Sequence, residues 1–143
     1  MNKEIAILLM SHGDFAKEAM KSAELVFGKQ ENYETLSVLL VDQVDRLKEE
    51  MYEKVESLDT SKGLLVFTDI IGGTPSNLAG NLLERENTIL CSGLNLPMLL
   101  EAMMNRDKSV EELKGILENA YRMGMTIRTT IEMGKDEDED DLL

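Results

Sequence analysis

The chain holds a single histidine, His12, within Ser11-His12-Gly13-Asp14. An imidazole can accept a phosphoryl group at one ring nitrogen while the other keeps its proton. That second nitrogen then needs an acceptor, which fixes the tautomer and steadies the charge developing on the ring. Asp69 is the candidate acceptor. It lies in Thr68-Asp69-Ile70-Ile71-Gly72-Gly73-Thr74-Pro75-Ser76-Asn77. Gly72 and Gly73 allow a ligand to approach the backbone closely. A helix opening near Pro75 directs its free N–H groups and positive dipole end at whatever sits there, a setting that binds phosphate. The Thr74 hydroxyl is a further donor. Each segment alone also reads as an ordinary strand-to-helix connection, with a structural histidine, a turn aspartate and a glycine-proline turn. Together they supply what phosphoryl transfer needs, which is positioning and compensation of negative charge.

These residues act together only if the elements bring them to one place. Apolar runs of strand length occupy residues 5–10, 36–41, 64–67 and 88–91. They are continuous rather than alternating, as in strands covered on both faces. Helical spacing falls between them. Asp14 is the expected cap of a helix through Phe15, Ala19, Ala23 and Val26, with Gly28 as its stop. Val44, Leu47, Met51, Val55 and Leu58 form one face of a second helix. Thr74 is the expected cap of a third, with Pro75 at its first position. Pro97 opens a helix over Met98–Met104, and Ser109 with Glu112 forms a capping box before Val110, Leu113, Leu117 and Tyr121.

This alternation predicts an α/β fold, doubly wound around a mainly parallel sheet. A flavodoxin-like strand order 2-1-3-4 places strands one and three side by side, so that His12 and Asp69 meet at the carboxyl edge, where ligands bind in such sheets. The β-branched stretch Met125–Ile131 predicts a C-terminal antiparallel edge strand, open to exchange in a dimer.

Composition narrows the function. The net charge is -13 over 143 residues, and residues 135–143 contribute six acids and one lysine, or -5, leaving -8 on the remainder. The expected organisation is one domain over residues 1–133 and an acidic, disordered tail over 134–143. An acidic chain argues against nucleic acid and anionic membranes as partners. No apolar run approaches the roughly 20 residues of a membrane span, and the N-terminus does not read as a signal peptide. The lone Cys91 forms no intrachain disulfide, so a cytoplasmic location is expected. There is no GxxxxGK[ST], GxGxxG, HExxH, paired-cysteine or GxSxG pattern, so no nucleotide, dinucleotide or metal cofactor is expected.

Three segments carry a family resemblance: Ser11-His12-Gly13, Asp69 through Asn77, and Ser92-Gly93-Leu94-Asn95-Leu96-Pro97-Met98-Leu99-Leu100-Glu101. From about Ile5 to about Ile131 the chain resembles the IIA component of the mannose-type (mannose, fructose, sorbose) sugar phosphotransferase system. The resemblance implies that His12 receives a phosphoryl group from phospho-HPr and passes it to a IIB protein. It implies that Asp69 hydrogen-bonds the ring nitrogen left unphosphorylated, and that Gly73 and Thr74 cradle the phosphoryl group. It also implies a homodimer exchanging an edge strand, with the membrane reached only indirectly, through the sugar permease. Members often carry IIA fused to IIB; here the acidic tail follows instead, which implies a separate IIB. Two rivals remain. A receiver phosphorylated on Asp69 would need an acidic pair after strand one to hold magnesium, where this chain has Ser11-His12. A regulatory protein would bind a phosphorylated ligand without forming a covalent bond.

Overall fold

A computed structural model describes residues 4–39 and 43–130. Four strands form one all-parallel sheet: β1 (Ala6–His12), β2 (Tyr33–Val38), β3 (Leu64–Thr68) and β4 (Thr88–Ser92), in the order β2-β1-β3-β4. The helices between and after them are α1 (Phe15–Phe27), α2 (Val44–Glu56), α3 (Gly73–Gly80), α4 (Leu96–Met104) and α5 (Val110–Met123). A single 3-10 turn, Asn81–Glu84, follows α3. None of these helices is long and apolar enough to cross a membrane.

The central position of β1 explains its composition. Every residue from Ile5 to Met10 is fully buried. Alternate side chains feed opposite layers, because a strand turns successive residues to opposite faces. Ile5, Ile7 and Leu9 join Leu65 and Phe67 beneath α1, α4 and α5, packing on Met20, Leu99, Leu113 and Leu117. Ala6, Leu8 and Met10 join Leu64 and Val66 beneath α2 and α3, packing on Met51, Val55 and Leu78. Fully burying an aliphatic side chain of this size contributes about 1.5–3 kcal/mol.

The two edge strands depart from the expected pattern. The second strand was expected over 36–41 but runs from Tyr33 to Val38; residues 40 and 41 lie outside the described residues. Only Leu36 and Val38 of this strand are buried, because an edge strand has one flank in solvent; the polar residues at its start hid it from an apolar-run reading. On the other side, β4 is partly exposed at every residue, so it is not covered on both faces as its apolar run suggested. The described part of the expected antiparallel strand, residues 125–130, has no sheet pairing among the described residues, while Ile131 lies outside them. The acidic segment 134–143 lies outside them too.

Helix starts also differ from expectation. Asp14 precedes α1 but makes no capping bond. Its Oδ1 accepts from Ser37 Oγ at 2.6 Å, and Ser11 Oγ accepts from the Ala16 N–H at 2.8 Å instead. α4 begins at Leu96, two residues before Met98, capped by Asn95 Oδ1 at 2.9 Å from the Met98 nitrogen. The Gly28 stop and the Ser109–Glu112 capping box form as expected.

Candidate active site

Parallel pairing aligns the carboxyl ends of β1 and β3, with Met10 opposite Thr68. The residues just beyond therefore share one edge of the sheet, and His12 and Asp69 meet there. Asp69 Oδ2 lies 2.9 Å from His12 Nδ1 and accepts the His12 backbone N–H at 2.9 Å. Asp69 Oδ1 accepts the Ile70 N–H at 3.0 Å. One carboxylate thus holds both the ring and the backbone of the histidine while being held by its own loop.

The electrostatics fix the proton. Partial burial pulls the Asp69 carboxyl up, but the His12 backbone and ring and the Ile70 N–H together outweigh it and hold the group below its usual value. An ionised carboxylate only accepts hydrogen bonds, so in the neutral imidazole the hydrogen sits on Nδ1 and the lone pair on Nε2. The His12 side chain is 43% exposed and that of Asp69 14%, so the ring is open to a partner while its support is sheltered.

Gly73 lies against the free nitrogen. A Cβ built there would sit 3.0 Å from His12 Cε1 and 3.2 Å from Nε2, and the backbone has φ +82°. Gly72 before it has φ +81° and ψ 174°, a region that only glycine adopts readily. The glycine pair therefore turns the chain so that the first turn of α3 opens beside Nε2. This differs from the expected cap: α3 starts at Gly73, Gly72 occupies the cap position without a side-chain bond, and Thr74 and Pro75 lie inside the first turn. Proline is still tolerated, since N–H groups of the first turn have no intrahelical partner. Thr74 is half-buried next to Gly73.

Neighbouring contacts hold the loops in place. Gly13 N–H donates to Val38 O at 2.9 Å, and the Ser37–Asp14 bond ties the same loop to β2. At the end of β3, Thr68 O accepts from Gly93 and Leu94, and Thr68 Oγ1 donates to Ser92 Oγ at 2.7 Å. Ser11 and Ser37 escaped the sequence reading as loop-fixing residues, because isolated serines carry no spacing signal. Arg106 lies at the opposite edge of the sheet. Its buried guanidinium donates to Ile5 O at 2.7 Å, Asn32 O at 2.9 Å and Glu31 O at 2.6 Å, closing the amino ends of β1 and β2. Among the described residues no group of three or more His, Cys, Asp or Glu could hold a metal ion.

The family model described as the PTS system fructose IIA component matches residues 6–121. The chain is 34% identical over 124 residues to the PTS system mannose-specific EIIAB component of Escherichia coli K12, covering 85% of this chain but only 38% of that relative. It is 28% identical over 120 residues to the PTS system fructose-specific EIIA component of Bacillus subtilis, covering 83% of this chain and 81% of the relative. Among solved structures, the mannose/sorbose-specific IIA subunit from Enterococcus faecalis superposes with a TM-score of 0.77 at 26% identity, over 88% of this chain and 96% of that one. The phosphotransferase component EIIA from Streptococcus agalactiae gives 0.76 at 28% identity, over 86% and 96%. With the family model spanning most of its length, the chain belongs to the mannose/fructose-type IIA family of the sugar phosphotransferase system.

Proposed function

We propose that this chain is a phosphoryl relay in which His12 Nε2 accepts a phosphoryl group from phospho-HPr and passes it to a IIB protein, serving sugar uptake. The observation that carries this reading is the pairing of Asp69 with Nδ1, which leaves the opposite nitrogen free beside Gly73. In the first step the Nε2 lone pair attacks phosphorus, an N–P bond forms on His12, and the bond to the donor imidazole breaks with its electron pair returning to that nitrogen. Asp69 stabilises the positive charge that the ring acquires. In the second step a IIB histidine attacks the same phosphorus and His12 leaves. Each step exchanges one N–P bond for another, so charge compensation and alignment are the main demands on the protein. The N–H groups of the Gly73–Thr74 turn, with the Thr74 hydroxyl, cradle the phosphoryl oxygens at the positive end of α3.

The acting form is a cytoplasmic homodimer in this reading. The edge of β4 that has no strand neighbour among the described residues borders a cavity of about 710 Å³ lined by Ile89, Leu90, Met98, Leu117 and Tyr121, room for an antiparallel strand from residues 125–131 of a second copy. Met125 and Ile127 are exposed in the single chain, as apolar residues awaiting such a place would be. The membrane is engaged only through the permease that IIB serves. The relay is tested by labelling the chain with radioactive phosphoenolpyruvate, enzyme I and HPr, then chasing with IIB. Label that appears on the chain and moves to IIB supports the reading; label that forms but never moves removes the transfer step.

A further inference from the structure

The second side of β2 has no strand neighbour among the described residues, and a polar groove of about 460 Å³ runs along it between α1 and α2. Thr35 and Ser37 of β2 line it, with Lys17 from α1 and Arg46, Glu50 and Lys54 from α2. Three cations face one acid there, in a chain whose carboxylates outnumber its cations 28 to 15. Lys54 pairs with Glu34 at 3.8 Å, but Lys17 and Arg46 have no ion-pair partner among the described residues. In so acidic a protein, two cations without an ion-pair partner among the described residues, beside this strand edge, make a site for carboxylates.

The same chain carries the complementary ligand. Residues 136–141 are Asp-Glu-Asp-Glu-Asp-Asp. The reach is sufficient. α5 ends at Met123, and Gly124 after it packs against Pro97 in the first turn of α4, which places it at the carboxyl edge of the sheet. Fourteen residues separate Gly124 from Asp138; extended, they span up to about 46 Å. Four strands are only about 15 Å across.

We propose that the acidic segment 136–141 docks in this β2-edge groove of its own chain, with Lys17 and Arg46 as its principal contacts. The groove reaches the edge that carries His12, since Val38 of β2 registers opposite it. The inference stands on charge and reach, whether or not His12 transfers phosphoryl groups.

The test uses a fluorescein-labelled peptide of residues 135–143 and two forms of the full chain. One is the natural chain. The other carries Asp136→Asn, Glu137→Gln, Asp138→Asn, Glu139→Gln, Asp140→Asn and Asp141→Asn. The neutralised chain leaves the groove empty and should bind the peptide at low salt. A tethered segment has an effective concentration of about 1 mM. A peptide with a Kd of about 0.1 mM for the neutralised chain should then bind the natural chain roughly tenfold more weakly. Adding Lys17→Glu and Arg46→Glu to the neutralised chain should weaken binding at least about tenfold, as should 1 M salt. Lys17→Gln with Arg46→Gln gives the milder control, and circular dichroism checks the fold of each form. Equal binding to the natural and neutralised chains overturns the proposal, as does binding indifferent to Lys17 and Arg46. Exclusion that strengthens with protein concentration assigns the segment to a second copy and overturns the intramolecular form.

Discussion

Gly72 and Gly73 allow strain to be separated from chemistry. Both have φ near +80°, +81° and +82° respectively, so alanine at either position strains the backbone. The cost is about 1–3 kcal/mol in each case. Only one of the two methyl groups meets anything. A Cβ at Gly72 has nothing within 4 Å, whereas one at Gly73 falls 3.0 Å from His12 Cε1 and 3.2 Å from Nε2. Restoring ordinary contact requires a ring displacement of about 0.4 Å, and a 1 Å misplacement can cost about a hundredfold in rate. The methyl also occupies space on Nε2, the nitrogen proposed to carry phosphorus. Both variants should therefore lose similar stability, several degrees in Tm. Gly73→Ala alone should slow His12 phosphorylation, by about 10- to 100-fold. Stopped-flow or quench-flow labelling from phospho-HPr, with thermal unfolding alongside, measures both. Equal phosphorylation rates in the two variants would refute the placement of Gly73 at the reacting nitrogen.

Three other expectations follow from the same contacts. Asp69→Asn should slow phosphorylation by about 100-fold or more, because an amide no longer favours the tautomer with hydrogen on Nδ1. Since the folded protein depresses the Asp69 carboxyl, the stability it contributes is fully present above the ordinary carboxylate value and is lost as pH falls through the depressed one. Urea unfolding of wild type and Asp69→Asn should accordingly show a difference at pH 5 that shrinks as the pH falls below about 4; a difference that grows below about pH 4 would contradict this sign. Arg106→Met should destabilise the chain by about 3–5 kcal/mol in urea, leaving the Ile5, Glu31 and Asn32 carbonyls without their donor, and a loss under about 1 kcal/mol would show that water replaces it. Burial pushes the Cys91 thiol up to about 11, so alkylation at pH 8 should run about 200-fold slower than for a free thiol, and ordinary reactivity would mean that β4 opens readily.

The central sheet was legible because its physics is local. Ile5–Met10 and Leu64–Phe67 are buried on both faces, which demands unbroken apolar runs, and the right-handed α/β order followed from their spacing. The meeting of His12 with Asp69 followed in turn from placing strands one and three side by side. The edges were less legible. Tyr33, Glu34 and Thr35 sit in a strand flanked by solvent, so no burial pattern announced them. Helix starts misled for a related reason: Asp14 and Thr74 have the right side chains for caps, but tertiary contacts decide the matter. Asp14 is taken by Ser37 across the sheet edge, and the Gly72 conformation starts α3 one residue before Thr74. Arg106 had no readable role because its acceptors are backbone carbonyls some 75 to 100 residues away, and backbone acceptors leave no trace in side-chain pattern.

The most direct measurement is intact mass after incubation with phosphoenolpyruvate, enzyme I and HPr, omitting each component in turn and repeating with His12→Ala. One acid-labile phosphoryl adduct that requires HPr and is absent from His12→Ala is expected. An adduct that persists in His12→Ala, or a folded wild-type chain that acquires none, would contradict it; the latter would leave an anion-binding edge with no covalent step.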